Sequence, residues 1–159
     1  MSMETLRQQY KLVRDARGAL FAYLQTIPFP KLHQPVEVFN NKSVCYLLNH
    51  IALTYISWLN EFALKNPLLM RDETSWQSMD DVRTAYEEAD DAVYNFLSSF
   101  DDENTIIQGL KARQNVMLNL SILQLFTHTI THEFHHKGQI LTMTRLLGSI
   151  PVDTDIIRF

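Results

Sequence analysis

Apolar positions recur at three- and four-residue steps over most of the chain, the spacing of a helix face turned toward a core. Leu6, Tyr10, Val13, Leu20, Phe21 and Leu24 form the first such stripe. Pro28, Pro30 and Pro35 interrupt it, and prolines that dense predict an extended crossover from Ile27 to Asn41. Ser43 is placed to cap a second helix with the stripe Val44, Leu47, Leu48, Ile51, Tyr55, Trp58, Leu59 and Phe62, stopped by Pro67. A loop through Trp76 leads to Asp80 or Asp81, either of which can cap a third helix. That helix turns Val82, Ala85, Tyr86, Ala89, Val93, Phe96, Leu97 and Phe100 inward. It leaves Glu87, Glu88, Asp90 and Asp91 as a solvated face.

Between Asp101 and Leu120 the period changes. Thr105 to Gln108 and Asn115 to Leu120 are short apolar runs around Gly109, Leu110, Lys111, Ala112 and Arg113, which predicts a small β-hairpin. Ser121 can cap the last helix, which runs without proline to about Leu147 and stops at Gly148 and Pro151. The tail ends in Ile156, Ile157 and Phe159, apolar enough to predict that it packs back on the domain. Four long amphipathic helices bury their stripes only against one another, so the pattern predicts an all-α four-helix bundle. No repeat, low-complexity tract or linker divides residues 1–159, which therefore read as one domain. The long crossover lets the first two helices run parallel as readily as it lets them form a hairpin.

Composition narrows the function. Apolar residues make up 46% of the 159 and charged residues 20%, a globular profile. No run approaches the roughly 18 consecutive apolar residues of a membrane span. The polar N-terminus carries no hydrophobic signal core, and Cys45, the one cysteine, fits a reducing compartment, so the expected location is cytoplasmic. Eighteen acidic against 14 basic residues give a net charge of −4, which argues against a nucleic-acid surface.

Histidine is the anomaly: of six, four lie at positions 128, 132, 135 and 136. Positions four apart are rotated by only ~40° on a helix, so His132 and His136 can converge on one ion, and His128 and His132 offer the same geometry. All three cannot easily serve one metal, because His128 and His136 are about 12 Å apart along the axis. Two imidazoles leave a zinc site incomplete. His50 is the best-placed third ligand, since it sits beside Leu47, Ile51 and Thr54 at the edge of the second helix's inward stripe. Cys45 is a poorer choice. His132-Glu133-Phe134-His135-His136 also satisfies H-E-x-x-H, which makes Glu133 a candidate base for metal-bound water. A protease would need a further ligand, and downstream the acidic choices are Asp153 and Asp155 in the tail. Gln139 is placed to reach a ligand or a substrate, and Tyr55 and Trp58 to hold one; Lys137 reads as a solvated charge.

These blocks (Leu-Leu-Asn-His50-Ile-Ala, Thr-His132-Glu-Phe-His-His136-Lys-Gly-Gln139-Ile, and Pro-x-Asp-Thr-Asp after Gly148) resemble the DinB/YfiT-like metalloenzymes across essentially the whole chain. The His-His-x-Gly-Gln string is the most specific part, with Lys137 where many members have arginine. The resemblance implies a four-helix bundle in up-down-down-up order. It also implies a zinc or nickel ion held by three histidines, which fall here on His50, His132 and His136, and often a homodimer. Characterised relatives include S-transferases using bacillithiol or mycothiol and a mycothiol-dependent maleylpyruvate isomerase. The expectation is therefore a metal-dependent enzyme joining a low-molecular-weight thiol to a small electrophile, with Glu133 and Gln139 as candidate catalytic residues. The alternatives are a metal-dependent hydrolase and a non-catalytic bundle stabilised by its metal.

Overall fold

A computed structural model describes residues 2–67, 72–111 and 115–159. The fold is mostly helical, with one two-stranded antiparallel sheet. Helix α1 (Met3–Leu24) starts at Ser2, whose hydroxyl accepts from the Thr5 N–H. The proline-rich crossover is not fully extended. It contains a short helix, α2 (Phe29–Leu32), and a 3₁₀ turn at Glu37–Phe39. Pro28 and Pro30 permit α2 because a first turn has no use for the N–H that proline lacks. Asn40 and Asn41, with φ of 54° and 57°, then reverse the chain, and the Val36–Lys42 bridge closes the loop.

Helix α3 (Val44–Tyr55) is capped by Ser43 as expected. It continues as eight residues of π-helix, Ile56–Ala63, which the apolar spacing does not reveal. The helical path ends at Lys65 (φ 61°), two residues ahead of the predicted proline stop. Helix α4 (Met79–Ser98) is capped by Ser78, not by Asp80 or Asp81. Asp81 is instead the reciprocal half of the capping box, accepting from the N–H groups of Gln77 (2.7 Å) and Ser78 (3.0 Å). Phe100 lies beyond the end of α4 and packs half-buried on the core.

The hairpin forms as predicted from β1 (Ile106–Lys111) and β2 (Val116–Ser121), with Gly109 opposite Leu118. The expected turn at Ala112 and Arg113, and part of the loop before Trp76, lie outside the described residues. Gly109 packs directly on the π-helical segment: a Cβ there would lie 2.9 Å from the Phe62 ring. Helix α5 (Ile122–Leu146) opens with a capping box between Ser121 and Gln124. It closes with Gly148 at φ 84°, where Gly148 N–H and Ser149 N–H return to the carbonyls of Arg145 and Thr144.

Helices α1 and α3 each pack against both α4 and α5, and one continuous apolar cluster joins all four, with Leu6, Leu48, Val93 and Phe126 fully buried. The tail departs from expectation. Ile150, Ile157 and Phe159 are 90%, 75% and 112% exposed, so its apolar side chains do not pack back. Its polar groups dock instead: the Thr154 carbonyl accepts from Lys137 Nζ at 2.6 Å, and Arg158 pairs with Asp15. Lys137 is therefore a buried anchor, 4% exposed over the Phe134 ring, and not a solvated charge. Burial lowers its pKa. Among the described residues no helix is long and apolar enough to cross a membrane.

Candidate metal centre

Two rows of side chains on α5, joined by His50 of α3, explain the site. Thr129, Glu133 and Lys137 form the inward row at four-residue steps. His128, His132 and His136 stand one residue back along the chain, rotated ~100° toward the flank of that row. His50 projects from α3, which packs on this side of α5. The ring centroids of His50, His132 and His136 lie 4.9, 4.8 and 4.4 Å apart in the pairs 50–132, 50–136 and 132–136. Each ring offers a nitrogen, and these atoms fall within 4.8 Å of one another. Among the described residues this is the one group of three or more metal-ligating side chains so placed.

The donor set fits a divalent cation. Zinc binds imidazole nitrogen at ~2.0–2.1 Å in tetrahedral geometry, which places two such nitrogens roughly 3.3 Å apart. The Nε2 atoms of His132 and His136 are separated by 3.2 Å. His136 Nδ1 lies 2.6 Å from Gln139 Oε1. An amide oxygen only accepts, so Nδ1 carries the proton and Nε2 of the neutral ring presents its lone pair to the cluster. Gln139 thus fixes the tautomer of a ligand, and its amide N–H donates to His135 Nε2 at 3.4 Å. His132 Nδ1 is buried with no hydrogen-bond partner.

Burial, and then the neighbouring imidazoles, pull the His132 pKa down to about 4. Burial also lowers His136, against the opposing hydrogen bond of Gln139. Neutral rings are the form that binds metal. The folded chain therefore takes up protons later than the unfolded chain on acidification. Stability without metal falls as pH drops from the ordinary histidine value of 6.5 toward about 4. Bound zinc should persist at neutral pH and be released as pH approaches about 4, which a chromogenic chelator at stepped pH will read. Release complete at pH 6.5 would contradict this. Cys45 is not part of the ligating group, and burial pushes its thiol up to about 12.

The remaining sequence candidates lie on two sides of the histidines. Trp58 is half-buried in the π-helical segment, its ring 5.0 Å from that of His128, which is 5.9 Å from His132. Tyr55 is fully buried on the inner side, where its hydroxyl donates to Glu133 Oε2 at 2.6 Å. Glu133 is 3% exposed, and both its oxygens are also taken by Arg17, at 2.8 and 2.9 Å. Glu133 falls outside the metal-ligating group.

Sequence reasoning missed the core of this polar network. Asp90 does not face solvent as expected: it is 9% exposed and accepts from Tyr10 (2.6 Å), Arg17 (2.6 Å) and Arg14 (2.8 Å). Arg17, 4% exposed, joins Asp90 of α4 to Glu133 of α5 and stacks 4.8 Å from the Tyr86 ring centroid. The signal was present, because Arg17 lies four residues after Val13 and Asp90 four after Tyr86, both on the inward stripes.

Compared with known proteins, the DinB family model matches residues 1–159, the whole chain. No curated protein matches it.

Proposed function

The chain belongs to the DinB family, and from that premise we propose that it is a metal-dependent transferase. It binds zinc or nickel through His50, His132 and His136 and joins a low-molecular-weight thiol, of the bacillithiol kind, to a small electrophile. The observation that carries this reading is the convergence of three imidazole nitrogens within 4.8 Å, with no fourth ligating side chain in the group among the described residues. A closed structural site would need that fourth ligand, so the incomplete set supports catalysis over a metal held for stability alone. A dication bound there supplies Lewis acidity that favours the deprotonated form of an entering thiol.

The chain's own residues then divide the work. Gln139 holds His136 in its ligating tautomer. Glu133, tied to Arg17 and Tyr55, fixes α5 against α1 and α3 and is a positioning residue in this reading. Trp58 and His128 form the wall an electrophile packs against; Tyr55 holds Glu133 from the inner side. The scaffold is read as a single-domain four-helix bundle in up-down-down-up order, acting on small molecules as a cytoplasmic homodimer with no nucleic-acid or membrane partner.

Turnover tests it. Protein loaded with zinc or nickel should accelerate conjugation of bacillithiol, mycothiol or cysteine to a bimane electrophile, and His136→Ala should abolish the acceleration. Rates no higher than those of thiol alone, with all three thiols, would overturn the transferase assignment. Ester hydrolysis without thiol would assign the same site to a hydrolase.

A further inference from the structure

Two aromatic rings flank the histidine cluster, and each carries a lysine. Tyr46 lies parallel to His50 at 6.3 Å between ring centroids, with an interplanar angle of 5°. Lys42 Nζ stands 4.0 Å above that Tyr46 ring. On the other side Trp58 meets His128, and Lys111 Nζ stands 4.3 Å above the Trp58 ring. Both lysines are positioned by the fold. The Val36–Lys42 bridge holds Lys42 at the start of α3, and Lys111, on β1, donates to Ser57 Oγ at 2.5 Å.

This arrangement runs against the charge of the chain as a whole, where 18 acidic residues outnumber 14 basic ones. On one flank Glu61 lies 3.9 Å from Lys111. Three neutral imidazoles would leave the charge of a bound dication uncompensated, so an anionic donor is favoured at the centre. The flanking ammonium groups extend the same preference outward, with an aromatic surface beside each.

We infer that the cluster is the centre of a larger binding site for planar, doubly anionic compounds, whose second carboxylate is taken by Lys42 or Lys111 while the ring lies against Tyr46 or Trp58. This deepens the metal-site reading and rests on it.

The test uses cobalt(II)-loaded protein and two rigid probes, benzoate and isophthalate, titrated against the visible cobalt spectrum. The second carboxylate of isophthalate cannot fold back onto the same ion. Isophthalate should bind about tenfold more tightly than benzoate, the value of one added charge-assisted contact of roughly 1.4 kcal/mol. Lys42→Gln and Lys111→Gln should each reduce that preference, and the double variant should remove it. Recording the cobalt spectrum of every variant ensures that the preference is read on a loaded site. Equal affinity for the two probes in the unmodified chain, or a preference the double variant keeps, overturns the anion site and leaves the metal centre intact. Failure to take up cobalt overturns both.

Discussion

Replacing Arg17 with methionine should destabilise the protein by about 3–5 kcal/mol, the cost of breaking a buried ion pair by removing one partner. The guanidinium is 4% exposed and bonds to Asp90, to Tyr10 and, through two nitrogens, to both oxygens of Glu133. Methionine fills much of the same volume but leaves the Glu133 carboxylate buried with Tyr55 as its remaining donor among these contacts. Arg14 still reaches Asp90, so the loss falls mainly at Glu133. Against a typical total stability of roughly 5–15 kcal/mol, the loss is large. Urea denaturation will read it. Adding Glu133→Leu to Arg17→Met should recover a substantial part, because an apolar pair replaces an uncompensated charge. A single variant within about 1 kcal/mol of the unmodified chain would mean that the network is held weakly or wetted.

The second large effect concerns metal. The ligands come from α3 and α5, elements far apart in sequence, so an unfolded chain does not present them together. An ion that binds the folded form alone stabilises it by about 4 kcal/mol when free metal is 1,000 times the dissociation constant. The melting temperature should therefore rise with zinc or nickel and fall back under a chelator. His132→Ala should abolish the response, since it removes one of the three ligand rings, 4.4 Å from His136 and 4.9 Å from His50. A metal-induced shift of undiminished size in that variant would place the binding elsewhere.

Much of this was legible in the sequence, for physical reasons that differ by element. Ser43 and Ser121 were readable as caps because a hydroxyl at the start of an apolar stripe has one favourable use there. The hairpin announced itself by a change of period, and Gly148 by the left-handed turn it makes. The spacing of His132 and His136 fixes their shared face, and His50 followed from its position beside an inward stripe. What failed was the treatment of charge. Asp90 and Lys137 were read as solvated because isolated charges avoid interiors, yet each is buried with a partner that comes from a distant segment. The stripe position of Asp90 was legible, but which partner each charge meets is a tertiary property that no local window displays. The π-helical segment at Ile56–Ala63 escaped for a related reason: Trp58, Leu59 and Phe62 satisfy an α-helical stripe equally well. The tail was misjudged by counting its apolar residues, while its docking depends on a backbone carbonyl and an ion pair.

The central claim is that one divalent cation is held by His50, His132 and His136 together. Metal content measured on protein given limiting zinc, for the unmodified chain and for His50→Ala, His132→Ala and His136→Ala, tests it most directly. One ion per chain in the unmodified protein, lost in each of the three variants, is the predicted result. Stoichiometric metal retained by any one of them would contradict it.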